Sequence, residues 1–504
     1  MSMRLPRGSD STRWLFILLV CLVALALGLV AGLGYGIASV AIIAVAILTG
    51  LFPYSLPAVL LVGPGIIHLV AYSLAGASNR ADVLSKPLQF APLIAALVGT
   101  PVLVSHLRNN RFFPPPSEGR SETRVHLLFG MVGLLAILVL RFGGTPAPIY
   151  AQTKTLGFIT FSLAPAILFM FIIQTPTDLR RALGAIAVIG SAWLGTLLIL
   201  AFLAGDFNLY LRGAGELLGG VSEAGGGVGS RAALVGLASL GLLAQDARPK
   251  ILLTISSVLS MTLLALSGHR GSFVAFAGGL LLIGFTRLKM GGRVSRGLFV
   301  FGGIVVLLAG TAAAISVTPK AVQERYASPL TSESFLGRVS AQKTALAAWK
   351  EHPFRGNGTG SSATIITGRD QSSFGEVGGL HPHNVTIELL TEVGLLGTAF
   401  FLGTVFYLLI QGFRAATTRF SGHSATLVGL FVSSFIESQG GADLTVQNDL
   451  WLIGALLAIA ISQSVSDPSS KVHTVDPPVA EPQANSRSLR PAEVGEESEN
   501  RNRF

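Results

Sequence analysis

Apolar residues run along most of this chain in blocks about one bilayer thick, separated by short polar intervals. At roughly 20 residues per crossing, the blocks fall at 14–33, 36–53, 57–75, 88–107, 125–142, 156–174, 182–204, 231–245, 250–267, 271–286, 297–317, 392–412, 424–440 and 450–465. The pattern predicts an all-α polytopic membrane protein with about 12–14 transmembrane helices. From Trp14 to Asn79 there is no Asp, Glu, Lys or Arg, and that stretch alone suits about three crossings. Gly and Pro recur inside the blocks, as bilayer helices tolerate.

The polar intervals are of two kinds. Alternate short intervals hold Arg108, Arg111, Arg120 and Arg124; Arg180 and Arg181; Arg248 and Lys250; Arg287, Lys289, Arg293 and Arg296; and Arg414 and Arg419. Cytoplasmic loops carry such an excess of positive charge, so the reading puts these loops and the N-terminus inside. Two longer segments, Asp206–Ser230 and Thr318–Thr391, then fall on the opposite side. The expected organisation is a cytoplasmic N-terminus (1–13), a bundle of about 11 spans (14–317) and a large periplasmic loop (318–391). The last helices (392–466) and a tail (467–504) follow. The tail is rich in Pro, Ser and Glu and poor in large apolar residues, which predicts a disordered cytoplasmic segment.

Composition agrees with this picture. Charged residues make up 12% of the chain and mean hydropathy is +0.63, against about 25% charge in soluble domains. The net charge of +10 sits in the loops between apolar blocks, which argues for membrane topology and against nucleic-acid binding. The single cysteine, Cys21, excludes an intramolecular disulfide. Arg4, Arg7 and Arg13 precede an apolar block with no clear cleavage site, so the first span reads as a retained anchor.

Polar chemistry concentrates between Phe335 and Leu402. A loop helix opened at Ser332 or Ser334 would put Arg338, Ala345 and Trp349 near one face. Next comes a glycine-rich turn, Arg355-Gly356-Asn357-Gly358-Thr359-Gly360, whose backbone N–H groups are candidates for an anion. His383 and Asn384 stand at the mouth of an apolar helical face formed by Val385, Leu389, Val393 and Leu396. There an imidazole is placed to accept a hydroxyl proton or to bond phosphate. Upstream, Ser267-Gly268-His269-Arg270-Gly271-Ser272 joins two apolar blocks; an arginine at that depth serves a cavity, a fixed partner or the interface. His381 and His383 make only an H-x-H pair, so no metal site is expected.

These stretches together resemble the O-antigen ligase-related superfamily, which includes O-antigen ligases, Wzy-type polysaccharide polymerases and pilin oligosaccharyltransferases. The matching features are the S-G-H-R-G turn with Arg270, the Arg338–Trp349 stretch leading to P-F-R-G-N-G-T-G, and the H-N block running from His383 to Gly397. The resemblance implies an inner-membrane, metal-independent and cofactor-free inverting glycosyltransferase. Its donor would be an undecaprenyl-pyrophosphate-linked glycan, and its acceptor lipid A-core or another lipid-linked glycan. Residue by residue it implies catalytic roles for Arg270, Arg338 and His383. Arg355, Arg212, Arg325, Trp349, Asn384 and Glu392 are expected at the substrate. The ligase is the favoured reading, a polymerase the alternative within the family, and a lipid-linked glycan transporter the alternative from another class. Transporters gather charge near the bilayer midplane, whereas here it collects toward one face.

Overall fold

The computed structural model describes residues 53–62, 122–203, 226–245, 247, 249–289, 323, 333–368, 381–417, 422–441, 444 and 448–464. The expected spans 14–33, 88–107 and 297–317, most of 36–53 and 57–75, and the tail lie outside them. Every described element is helical. After a short 3-10 turn at Pro53–Ser55 come α1 (Glu122–Leu140), α2 (Pro148–Gly157), α3 (Ala164–Ile172), α4 (Pro176–Leu203), α5 (Gly226–Leu243), α6 (Lys250–Leu266) and α7 (Arg270–Lys289). They are followed by α8 (Glu333–Glu351), α9 (Ser361–Thr367), α10 (Val385–Ala416), α11 (Gly422–Ser438) and α12 (Asn448–Ser464). Four stretches among the described residues are long and apolar enough to cross a membrane: Glu122–Gly144, Pro148–Ile172, Pro176–Ile199 and Val385–Ala416. Shorter apolar helices accompany them, and the protein is an all-α polytopic membrane protein.

Packing follows the sequence pattern. α7 lies along α11, α5 against α6 and α1 against α10. At the α7–α11 crossing a Cβ on Gly279 would come 2.6 Å from the carbonyl oxygen of Gly429. Only two glycines let the backbones meet that closely, as small residues do where lipid supplies no hydrophobic drive. Between α2 and α3 the hydrogen-bond register widens to π-helical over Phe158–Leu163. Pro165 follows directly and has no N–H to give, which accounts for the slip.

The helix ends sort into two groups. At one end Arg124 reaches the Ser462 hydroxyl (3.1 Å) and the Met170 carbonyl (3.3 Å), and Gln245 reaches the Gly422 carbonyl (2.9 Å). At the other, Arg141 donates to the Gly356 carbonyl (3.2 Å) and Thr145 to that of Thr359 (2.6 Å). Arg124, at the start of α1, therefore stands at the end of the bundle opposite Gly356 and Thr359. At that second end α8, the turn after it and α9 form a cap on α10.

α10 is broken where the cap sits. Gly394 has φ 68° and ψ −165°, a region essentially only glycine occupies. The carbonyls freed around the break are taken by the glycine-rich turn: the Asn357 N–H donates to Thr391 O (2.8 Å) and that of Gly358 to Glu392 O (2.9 Å). In the other direction the Leu395 N–H donates to Pro353 O (2.9 Å). The Gly356 N–H goes to His352 O and the Thr359 N–H to Arg141 O. These amides are therefore spent on the cap's own seating. The expectation that the turn cradles an anion is corrected on this point.

Candidate active site

The centre of the polar end is the backbone that leaves α11. Three side chains from two other elements converge on its carbonyls. Arg338, on the first half of α8, donates from Nη1 to Gly440 O (3.4 Å). His383 places Nδ1 3.2 Å from Gly441 O. Asn384 donates from Nδ2 to Gln439 O (3.2 Å) while its Oδ1 accepts from the Ile387 N–H (2.9 Å), capping α10. Thr386 adds a bond to the Gln439 side chain (2.8 Å).

Local sequence explains each placement. Ala345, on the inward face of α8, is fully buried and its carbonyl accepts from Thr391 Oγ1 (3.1 Å). That contact aligns the face shared by Arg338 and Ala345 with α10, as the three- and four-residue spacing predicts. His383 is held at φ 52°, the one non-glycine with positive φ among the described residues. Histidine tolerates this conformation better than most residues but at a cost of order 1 kcal/mol, and such strain clusters at functional sites. The His381 and His383 rings lie 4.2 Å apart, centroid to centroid, with His381 buried beneath.

The α6–α7 turn meets the same end of α11. His269 directly precedes α7, and its Nδ1 accepts the Ser272 N–H (3.2 Å). Ser272 Oγ lies 2.6 Å from that nitrogen and 2.8 Å from Glu437 Oε1, and Ser230 Oγ of α5 donates to the same oxygen (3.2 Å). Burial, and then the positive charge of Arg338, hold the His269 pKa down to about 4. At neutral pH its ring is uncharged, so the 3.3 Å approach to Glu437 is not an ion pair. Burial also lowers the Arg338 pKa, opposed by Glu437; a guanidinium starting above 12 stays charged. Arg270 is the next residue, part-buried at the first position of α7.

Beneath the cap lies a second polar cluster. Lys154 of α2 is fully enclosed between Glu388 and Glu392, one turn apart on α10. Its Nζ is 2.8 Å from Glu392 Oε2 and bonds Glu388 Oε1 directly. Ser362 of α9 donates to Glu392 Oε1 (2.6 Å).

Set against the sequence expectations, the structure brings Arg338, His383 and Asn384 onto one segment and the Arg270 turn onto the helix that leads into it. Glu392, expected at the substrate, is instead sealed against Lys154 and Ser362. Trp349 gives its indole N–H to Pro353 O (3.0 Å), closing the cap turn. Arg355 is exposed on that turn. Arg212 and Arg325 lie outside the described residues. Sequence reasoning passed over Lys154, His269 and Glu437 as functional candidates. The signals were a lysine at the head of an apolar block, two glutamates one turn apart, and a glutamate ending another block. Among the described residues no group of three or more His, Cys, Asp and Glu side chains is set to hold a metal ion.

These features define a helical membrane protein in which Arg270, Arg338, His269, His383 and Glu437 gather at one end of the bundle, beside a cap seated on a broken helix. Residues 255–402 match the family model described as O-antigen ligase, so this stretch carries a domain of an O-antigen ligase-related family. It takes in the α6–α7 turn, the cap and the head of α10, the stretches on which the resemblance rests. No curated protein matches the chain.

Proposed function

We propose that the protein is an inner-membrane transferase that moves a glycan from undecaprenyl pyrophosphate to an acceptor hydroxyl, with lipid A-core as the acceptor. The observation that carries this reading is the convergence of Arg338, His383 and the Arg270 turn at the end of α11, within the stretch that matches the O-antigen ligase family. Cations fixed in a water-poor site stabilise the charge that develops on a departing pyrophosphate, by several kcal/mol. Arg270 and Arg338 fill that role, each guanidinium matching phosphate oxygens with paired N–H groups. His383 serves the acceptor. With Nδ1–H donating to Gly441 O, the proton is fixed on Nδ1 and Nε2 carries the lone pair that takes the hydroxyl proton. Asn384 fixes the imidazole by tying the same turn to Gln439. Direct attack of the hydroxyl on the anomeric carbon then breaks its bond to pyrophosphate and inverts that carbon. The polar end and cap face the periplasm in this reading.

Deletion of the gene tests the assignment. Loss of a ligase leaves polymerised glycan on undecaprenyl pyrophosphate and bare lipid A-core. Accumulated single repeat units would instead identify a polymerase. Purified protein that moves lipid-linked glycan between leaflets without releasing it would identify a transporter.

A further inference from the structure

The Lys154 cluster stands apart from the arginines and histidines assigned above, yet it reaches the same backbone. Glu388 Oε1, which bonds Lys154, also accepts the N–H of Leu444 (3.4 Å), a residue with no exposed surface. Leu444 closes the segment whose opening carbonyls, at Gln439, Gly440 and Gly441, receive Asn384, Arg338 and His383. His383 and Asn384, which lead into α10, therefore grip one end of this segment, and Glu388, in the first turn of α10, grips the other. Through Glu392 the same lysine is tied to Ser362 and hence to the cap.

Lys154, Glu388 and Glu392 have no exposed side-chain surface. Apolar side chains of similar volume commonly serve buried positions as well as or better than ions do, so stability alone is a poor account of three buried charges. Register is a better one. This arrangement of α2, α10, α9 and Leu444 pairs the one lysine with both carboxylates, and sliding any element by one residue strands a charge. We propose that Lys154, acting through Glu388, is a positioning residue that holds Leu444 and, through it, the Gln439–Gly441 backbone on which Arg338 and His383 rest. Its effect on turnover rests on the transfer reading above; its effect on the segment does not.

The test uses full-length protein in nanodiscs and two variants. Lys154→Met removes the cation and leaves two buried carboxylates, which can prevent folding. The triple variant Lys154→Met, Glu388→Leu, Glu392→Gln removes all three charges together, keeps an acceptor for Ser362 and deletes both the lysine's ties to α10 and the tie to Leu444. In the folded variant, amide exchange across 439–444 is expected to rise about 10-fold or more, while α6 and α7 keep wild-type protection. With a polyprenyl-pyrophosphate-linked glycan as donor, kcat should fall about 10²-fold with donor KM within about twofold. Wild-type exchange at 439–444 in the triple variant would overturn the proposal, as would faster exchange with unchanged kcat. Faster exchange in a protein whose wild type transfers no glycan would instead sink the transfer reading and leave the anchoring intact.

Discussion

Replacing Gly394 with alanine would unseat the cap. At φ 68° and ψ −165° an L side chain incurs about 1–3 kcal/mol of backbone strain. The new Cβ would lie 2.3 Å from Phe354 O and 2.5 Å from the Phe354 carbonyl carbon. Both are backbone atoms, so the turn has to lift off α10. Lifting breaks the three bonds that cross the break, Asn357 N–Thr391 O, Gly358 N–Glu392 O and Leu395 N–Pro353 O, at about 1 kcal/mol each. The sum is about 4–6 kcal/mol, and at 1.4 kcal/mol per decade it lowers protection of the cap amides about 10³-fold or more. Hydrogen exchange resolved to peptides covering 356–361 measures this, with the lower half of α10 as internal control. Protection in Gly394→Ala within tenfold of wild type would refute the claim that the break seats the cap.

Four further outcomes are expected. Arg270→Lys should lose most glycan transfer at wild-type expression, because an ammonium keeps the charge but not the paired N–H geometry; near-normal transfer would return Arg270 to an interfacial role. On purified protein, His383→Ala should cut turnover about 10²-fold or more with donor still bound, and His381→Ala should do much less. Equal losses in the two variants would end the general-base assignment. Stability should fall as pH drops from about 6.5 toward 4, because the unfolded His269 takes up a proton that the folded one, at about 4, refuses. His269→Asn should remove up to about 3 kcal/mol of that dependence; identical pH profiles for variant and wild type would contradict it. For topology, the reporter belongs on the exposed turn at Arg355. In a background lacking Cys21, Arg355→Cys should react with an impermeant thiol reagent in intact spheroplasts and Ser486→Cys should not; the reverse pattern would invert the orientation.

The membrane-helix architecture was legible in the sequence because its signals are local: block length, and a 3.6-residue period that aligned Arg338 with Ala345. The histidine at the head of α10 was legible for the same reason, since Asn384 caps that helix within its own first turn. What escaped depends on partners far along the chain. Lys154 reads as an ordinary basic residue until Glu388 and Glu392 are seen facing it. The glycine-rich turn reads as an anion cradle because the carbonyls that occupy the Asn357 and Gly358 amides become free only at the break in α10. Glu437 is marked in sequence only as a glutamate ending an apolar run, and its partners Ser230 and Ser272 come from two other helices.

The break at Gly394 also divides α10 mechanically. The nine residues from Val385 to Val393 are bonded upward, to the cap and to the segment after α11, while the longer stem below packs against α1 and α11. His383 thus rides on a short lever clamped at both ends rather than on the tip of a long rod. Gly394 is where tilting of the stem, as a bilayer of different thickness imposes, would be taken up. The contacts of His383 and Arg338 with the backbone after α11 would then be kept in membranes of varied composition.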